Sequence, residues 1–485
     1  MLSNIRLLVI GGLVLAVILG VVFKKHLLRL LKNLYGNFTK DELKKFLLLA
    51  VIFGFTIGVY WLLRPLKDGV FCNIVGVSNI PYAKWLSLLI IFPLVMVYSK
   101  LVDKFPRHKI FYALCTIYGL LAFAFAYLLH SSTFGLPNVA PYTLPSGVVE
   151  SRHVLAMGRA IGWAWYVFIE SFGSLMVALF WSFASDTTTP ESAKKGYGVI
   201  AMGAQAGGIL GPLAVATYAK QYGPVPMAFA AGIGIFGIAL MIKFFMTVVP
   251  KDQLVGYQAK NETNDQKKHE KEETGFMEGL KLMLSQPYLL CIFAVISLYE
   301  IVVTVFDYQL KSMASASLSG AGALSAYLGE YGVWTNGLSL LCLILGINSI
   351  GRKLGLTVSL ILLPILIAGF VGAIWISPTL QVAFWVMVFS KAVNYALNQP
   401  AKEQLYIPTT KDTKYKAKAW TEMFGSRSSK AAGSGINILN KFMAPEMFIA
   451  MSSMLSLGLI GVWIFCALYL GKTHKKAVSE NKVVC

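Results

Sequence analysis

The sequence predicts an all-α, polytopic membrane protein whose core is two sets of six transmembrane helices. Three observations carry that expectation. Apolar runs of about 18–25 residues, the length a helix needs to cross a bilayer, recur along the whole chain. The 485 residues are 56% hydrophobic and only 14% charged, with a mean hydropathy of +0.64. Only helices and closed barrels satisfy their backbone in lipid, and runs of this length are helical rather than strand-like. The basic residues, finally, gather in alternate loops. Lys100, Lys104, Arg107 and Lys109 share one, Arg352 and Lys353 another, Lys411, Lys414, Lys416 and Lys418 a third, and Lys472, Lys475 and Lys476 follow the last apolar run. The intervening loops at 131–149, 315–324 and 377–381 are close to neutral. This is the positive-inside asymmetry, so the net charge of +20 reports topology and not a nucleic-acid surface.

Taken in order, the core spans are 45–69, 83–101, 110–130, 161–185, 196–220 and 226–249, then 287–311, 322–349, 355–377, 380–403, 419–441 and 446–471. Residues 6–23 form a further apolar segment, followed by Lys24 and Lys25. No small-residue cleavage site follows it, so it reads as an uncleaved anchor or an extra N-terminal span. Residues 251–286 are the one long polar stretch and divide the chain. The expected organisation is an N-terminal hydrophobic segment with a basic linker (1–41), an N-terminal six-helix half (42–249), a middle loop (250–286), a C-terminal six-helix half (287–472) and a basic tail (473–485). The six cysteines show no paired spacing and the histidines are scattered, so neither a disulfide framework nor a metal site is expected, and no cofactor.

The halves echo one another. Span one ends in "RPLKD" (64–68) and span seven in "YQLKS" (308–312), each with Leu-Lys at its tail. The segments after spans four and ten both run Thr-Thr, a basic cluster, then a small-residue helix, with Gly203 matched to Gly425. Parallel six-helix halves around a long middle loop are the major-facilitator plan. Gly196, Gly198, Gly203, Gly207, Gly208 and Gly211 crowd span five, and small residues let helix backbones approach closely.

Charges inside the spans point toward function. Arg64, Lys67 and Asp68 interrupt an apolar stretch that runs from 46 to 77 around Pro65. A straight helix of that length would measure about 45 Å, against a hydrocarbon core of about 30 Å. Two readings stand: the charges cap a span at the headgroups, or they lie at membrane depth facing a cavity. Glu170 lies inside span four with Trp163, Tyr166, Ser174, Val177 and Trp181 on its face. Glu300, Asp307 and Lys311 lie in span seven. Lys391, Asn394 and Lys402 belong to span ten, and Arg427 and Lys430 share a face in span eleven. Charges of both signs in both halves read as a solvated cavity for a charged substrate, with cations suited to phosphate oxygens.

At these residues the chain resembles the nucleotide transporter family, the ATP/ADP translocases of obligate intracellular bacteria and plastids. "AKEQLYIP" (401–408) is similar to the family's Thr-Lys-Glu-Met-Ala-Tyr-Ile-Pro signature, and "KAKAWTEMFGSRSSKAAGSG" (416–435) to its Lys-Gly-Lys-Ala segment and Gly-x-Arg-x-Gly-Lys-Ser-Gly-Gly. "LLRPLKD" (62–68) resembles its Leu-Arg-x-x-Lys-Asp, and "FIESFGSLMVALFWSFASD" (168–186) its span four. The likeness covers residues 42–472. It departs at Ala401, where the family has Thr, and at Ala431 and Ala432 after Lys430. Glu300 and Asp307 both stand as counterparts of its span-seven carboxylate. The resemblance implies that Lys67 and Glu170 are functional charges and that Arg427 and Lys430 contact phosphate.

The resulting expectation is a transporter, not an enzyme, that exchanges ATP and ADP by alternating access. Its substrate-binding residues are expected to be Arg64, Lys67, Asp68, Tyr166, Glu170, Glu300, Asp307, Lys311, Asn394, Lys402, Arg427 and Lys430, with a Trp163–Tyr166 face as one place for the base. Nucleotides and the lipid bilayer are its partners, nucleic acid is not, and the unit is a monomer. The expected location is the inner membrane of an intracellular bacterium, with both ends of the twelve-helix core in the cytoplasm. The rivals are a proton-coupled importer of other nucleotides or NAD, and a membrane-embedded enzyme acting on lipid phosphates.

Overall fold

A computed structural model describes residues 39–254, 276–344, 355–395, 399–410, 418–421, 425–480 and 483–484. The apolar segment 6–23, most of the middle loop, and Arg352, Lys353, Lys411, Lys414 and Lys416 lie outside the described residues.

The first half runs α1 (Lys40–Phe71), α2 (Ile80–Lys104), α3 (Arg107–His130), α4 (Ala156–Asp186), α5 (Pro190–Tyr222) and α6 (Pro224–Val248). A short α7 (Phe276–Ser285) precedes the second half: α8 (Pro287–Ser317), α9 (Ala321–Ile344), α10 (Leu356–Ile376), α11 (Leu380–Val393), α12 (Gln399–Leu405), α13 (Ser426–Ile438) and α14 (Pro445–Ser479). Among the described residues, eight helical stretches are long and apolar enough to cross a bilayer, the first running from Lys40 through the α1–α2 turn to Val102. The tenth expected span contains α11 and α12, with residues 396–398 between them outside the described residues. The last helix runs on to Ser479, past the final apolar stretch.

Local sequence sets the helix ends. Thr39 Oγ1 accepts from the Glu42 N–H at 3.2 Å while Glu42 Oε2 accepts from the Thr39 N–H at 3.1 Å, a capping box that starts α1. Proline stands in the first two positions of α2, α5, α6, α8 and α14, where a missing N–H costs nothing. Proline inside α1, α2, α5 and α10 is tolerated because neighbouring helices support the backbone.

The glycines of α5 act in packing. Gly203 and Gly207 face Ala50 and Gly54 of α1, and a Cβ on Gly54 would stand 2.6 Å from the Gly203 carbonyl oxygen. Only glycine permits that approach. In α13, a Cβ on Gly433 would lie 2.8 Å from the Ile301 carbonyl of α8.

The two halves meet mainly at one end. Ala321, Leu324 and Leu328 of α9, Tyr308 and Ala314 of α8 and Phe448 of α14 join the core cluster of the first half. The second half's own cluster contains residues of that half alone. The shared residues sit where α1, α3 and α5 finish, the end that carries a feature outside the helical expectation, a hairpin of β1 (Val139–Thr143) and β2 (Val149–His153). Gly147, at φ +78°, makes its turn within "PSG". Glu150 of this hairpin reaches inward and accepts from Ser78 N and Ser78 Oγ, both at 3.0 Å, at the break between α1 and α2. Lys441 of the second half donates to Asn79 at 3.0 Å and lies 4.7 Å over the Tyr82 ring. The hairpin end is thus closed by apolar packing and a polar latch.

Candidate functional site

The chemistry begins with α1. The helix does not stop at Arg64. It continues through Pro65 to Phe71, widens into a π-helical turn at Cys72–Gly76 and then tightens into a 3-10 turn at Val77–Asn79. Lys67 and Asp68 are 4% and 5% exposed, which rules out the headgroup-cap reading. A buried lysine needs a partner, and Lys67 has two: Glu170 Oε1 of α4, and Asp68 Oδ1 at 3.6 Å. Its ammonium also lies 4.3 Å over the Tyr166 ring.

From Asp68 the ion pairs cross to the other half. Lys311 Nζ of α8 lies 2.9 Å from Asp68 Oδ2 and 2.9 Å from Asp307 Oδ2, one helical turn away on its own helix. Lys84 of α2 comes to 2.9 Å from the same Asp307 oxygen. The result is an alternating series, Glu170, Lys67, Asp68, Lys311, Asp307, Lys84, laid across α4, α1, α8 and α2. Lys430 approaches Glu300 at 3.8 Å, and Arg427 Nη2 donates to Ser174 Oγ at 2.8 Å, again across the halves.

The charged residues of this series, with Glu300, Arg427 and Lys430, line one cavity of about 320 Å³ between the halves. Among the described residues, its walls hold eight cations (Arg64, Lys67, Lys84, Lys311, Lys391, Lys402, Arg427, Lys430) and four carboxylates (Asp68, Glu170, Glu300, Asp307). Each carboxylate has a cation within 4 Å. The surplus is positive, so the cavity is built for an anion, and an anion of high charge. Guanidinium and ammonium donors of this density match phosphate oxygens.

Every candidate named from the sequence reaches this cavity, Tyr166, Asn394 and Lys402 included. The aromatic face of α4 divides. Tyr166, Glu170 and Ser174 turn to the cavity side, whereas Trp163 packs edge-on against Phe71 at 5.1 Å and Trp181 against Phe53 at 5.2 Å. Of the Trp163–Tyr166 face, Tyr166 lines the cavity and Trp163 does not. Glu403, beside Lys402, turns away to Lys418 at 2.7 Å. Sequence reasoning missed Lys84, Tyr60 and Tyr395. Lys84 opens span two, where a snorkelling lysine reads naturally; only the approach of α8 to α2 turns it inward.

The family model described as TLC ATP/ADP transporter matches residues 23–474. The chain is 26% identical over 488 residues to ADP,ATP carrier protein 2, chloroplastic, of Arabidopsis thaliana, covering 91% of this chain and 76% of that one. It is 24% identical to ADP,ATP carrier protein 1 of Chlamydia muridarum, covering 91% and 90% respectively. Among solved structures it superimposes on a bacterial homologue of the iron transporter ferroportin with a TM-score of 0.59 at 12% identity, over 88% of this chain and 98% of that one. A D-xylose–proton symporter gives 0.58 at 13%, over 88% and 97%. These likenesses establish the fold: an all-α polytopic membrane protein of major-facilitator type.

Proposed function

The chain belongs to the TLC ATP/ADP transporter family, and from that premise we propose that it exchanges ATP for ADP by alternating access, with the charged cavity between its halves as the substrate site. The observation that carries this reading is the surplus of cations over carboxylates in one cavity shared by both halves. Phosphates replace carboxylates around Lys67, Lys311, Lys84 and Lys430. Arg64 and Arg427 supply the planar donors that bind phosphate oxygens in pairs.

The same pairs support exchange over uniport. An empty carrier neutralises itself through Asp68, Glu170, Glu300 and Asp307. Reorientation must then break desolvated pairs across the halves with nothing to replace them. A loaded carrier holds its cations on phosphate and reorients faster. One chain supplies both halves of the cavity, which supports a monomer as the transport unit. The chain is a multi-pass membrane protein. Its lysine-rich loops favour a cytoplasmic location for the end opposite the hairpin.

The test is uptake of labelled nucleotide by purified protein in liposomes. Rapid uptake only against internal ATP or ADP, with a direction that follows membrane potential, supports exchange. Uptake into nucleotide-free liposomes that rises with an inward proton gradient and is lost in Glu170→Gln or Glu300→Gln rejects it in favour of proton coupling. Orientation is tested separately. Labelling of Glu262→Cys, on a cysteine-free background, by an impermeant reagent from outside intact cells overturns the cytoplasmic assignment.

A further inference from the structure

The wall chemistry changes along the molecular axis. On α2, the face that brings Lys84 and Leu88 to the ionic cavity continues away from the hairpin as Ile91, Phe92 and Val95. On α4, the face that carries Glu170 continues as Ser174, Ala178 and Ser182, each one helical turn further on. Between these faces lies a second cavity of about 510 Å³. It shares Leu88 and Arg427 with the ionic cavity, so the two are contiguous. Arg427 stands at the junction with its guanidinium on Ser174.

We propose that the slot between α2 and α4 holds the nucleoside end of the substrate, so that a nucleotide binds with its phosphates deep in the ionic cavity and its base toward the lysine-rich end. The proposal rests on the reading of the chain as a nucleotide carrier. Three observations carry it. The ionic cavity is walled by charge, and a flat heteroaromatic ring placed there would separate ion pairs without replacing them. The slot offers what such a ring needs, apolar walls with a few hydroxyls at hand. The hairpin end is closed, so a ligand arriving from the other end leads with the group that binds deepest. The order of wall chemistry, ionic then apolar with hydroxyls, is the order of a nucleotide from phosphate to base. Arg427 at the junction is placed for the phosphate nearest the ribose.

The test measures how unlabelled ATP and inorganic tripolyphosphate inhibit uptake of labelled ATP in liposomes loaded with nucleotide. Ala178→Phe and Val95→Trp fill the slot from opposite walls. The expected result is a rise of about tenfold in the half-inhibitory concentration of ATP, the scale of one lost base contact, with that of tripolyphosphate within about twofold of wild type. Unchanged ATP inhibition in both variants overturns the proposal. So does a parallel loss for both ligands. So does a wild-type carrier on which tripolyphosphate does not compete. If Tyr60→Leu separates the two ligands and the slot variants do not, the base sits on the aromatic wall of the ionic cavity, and the proposal fails. Absence of nucleotide uptake by the wild type overturns the functional reading itself, and the slot assignment with it.

Discussion

Lys311 Nζ stands 2.9 Å from Asp68 Oδ2, joining the first helix of the second half to the first helix of the first. Both side chains are almost fully buried, at 6% and 5% exposure. Removing one partner unbalances the series, leaving Asp68 with Lys67 at 3.6 Å or Lys311 with Asp307 at 2.9 Å, whereas removing both restores the balance of charge. Lys311→Gln and Asp68→Asn should each lower the exchange rate by about a hundredfold or more. The double variant should be less impaired than the product of the single effects. Strictly multiplicative losses in liposome exchange would show that the pair does not act as a unit.

Lys67 is held by Glu170 and Asp68 over the Tyr166 ring. Lys67→Ala should abolish nucleotide uptake while the protein still inserts and is recovered in the membrane fraction. Lys67→Arg keeps the charge but not the compact ammonium, and should retain a small part of the rate. Wild-type rate and apparent affinity in the alanine variant would remove Lys67 from the site.

Glu150 is a titratable group of the hairpin latch. Burial is the largest influence on its carboxyl and raises it above the ordinary value of 4.5, while the Ser78 N–H and hydroxyl, Arg152 and Lys441 pull it down. A carboxyl raised in the folded state binds its proton more tightly there than in the unfolded chain. Its contribution is therefore fully present below the ordinary value and is lost as pH rises from 4.5 through the raised one. Glu150→Gln should remove this slope. In detergent, the melting temperature of the wild type should fall relative to the variant as pH rises through that window. Parallel curves would contradict the assignment.

Gly207 of α5 lies against Gly54 and Gly58 of α1, with no room for a Cβ. Gly207→Val forces the two helices apart and should destabilise the first half by about 1–3 kcal/mol. Thermal unfolding of the solubilised protein measures it. Gly147→Ala at the hairpin turn meets nothing within 4 Å and bears only the strain of its φ of +78°, about 1–2 kcal/mol. An effect of Gly207→Val no larger than that of Gly147→Ala would show that the α1–α5 contact is loose.

The class, the helices and the alternation of loops are legible in the residues alone, because each is a local property. An apolar run needs only its own length to be read as a span, and a lysine cluster needs only its neighbours to mark a loop. The sequence also supplied most of the charged residues that line the cavity, since a charge inside an apolar run is costly wherever it lies and has to face something polar. The pairing was beyond it. Asp68 and Lys311 are far apart in the chain, and nothing local to either names the other; "RPLKD" and "YQLKS" resemble one another but do not say that their lysines meet at one carboxylate. Lys84 carried no signal in the sequence, and only the approach of α8 brings Asp307 to it. Trp163 and Tyr166 share a helix face in the sequence, yet only Tyr166 reaches the cavity. Helix periodicity gives the face a side chain shares, but the angle at which two helices approach decides what that face meets. That angle is set by contacts such as Gly54 against Gly203, which exist only once both helices are in place.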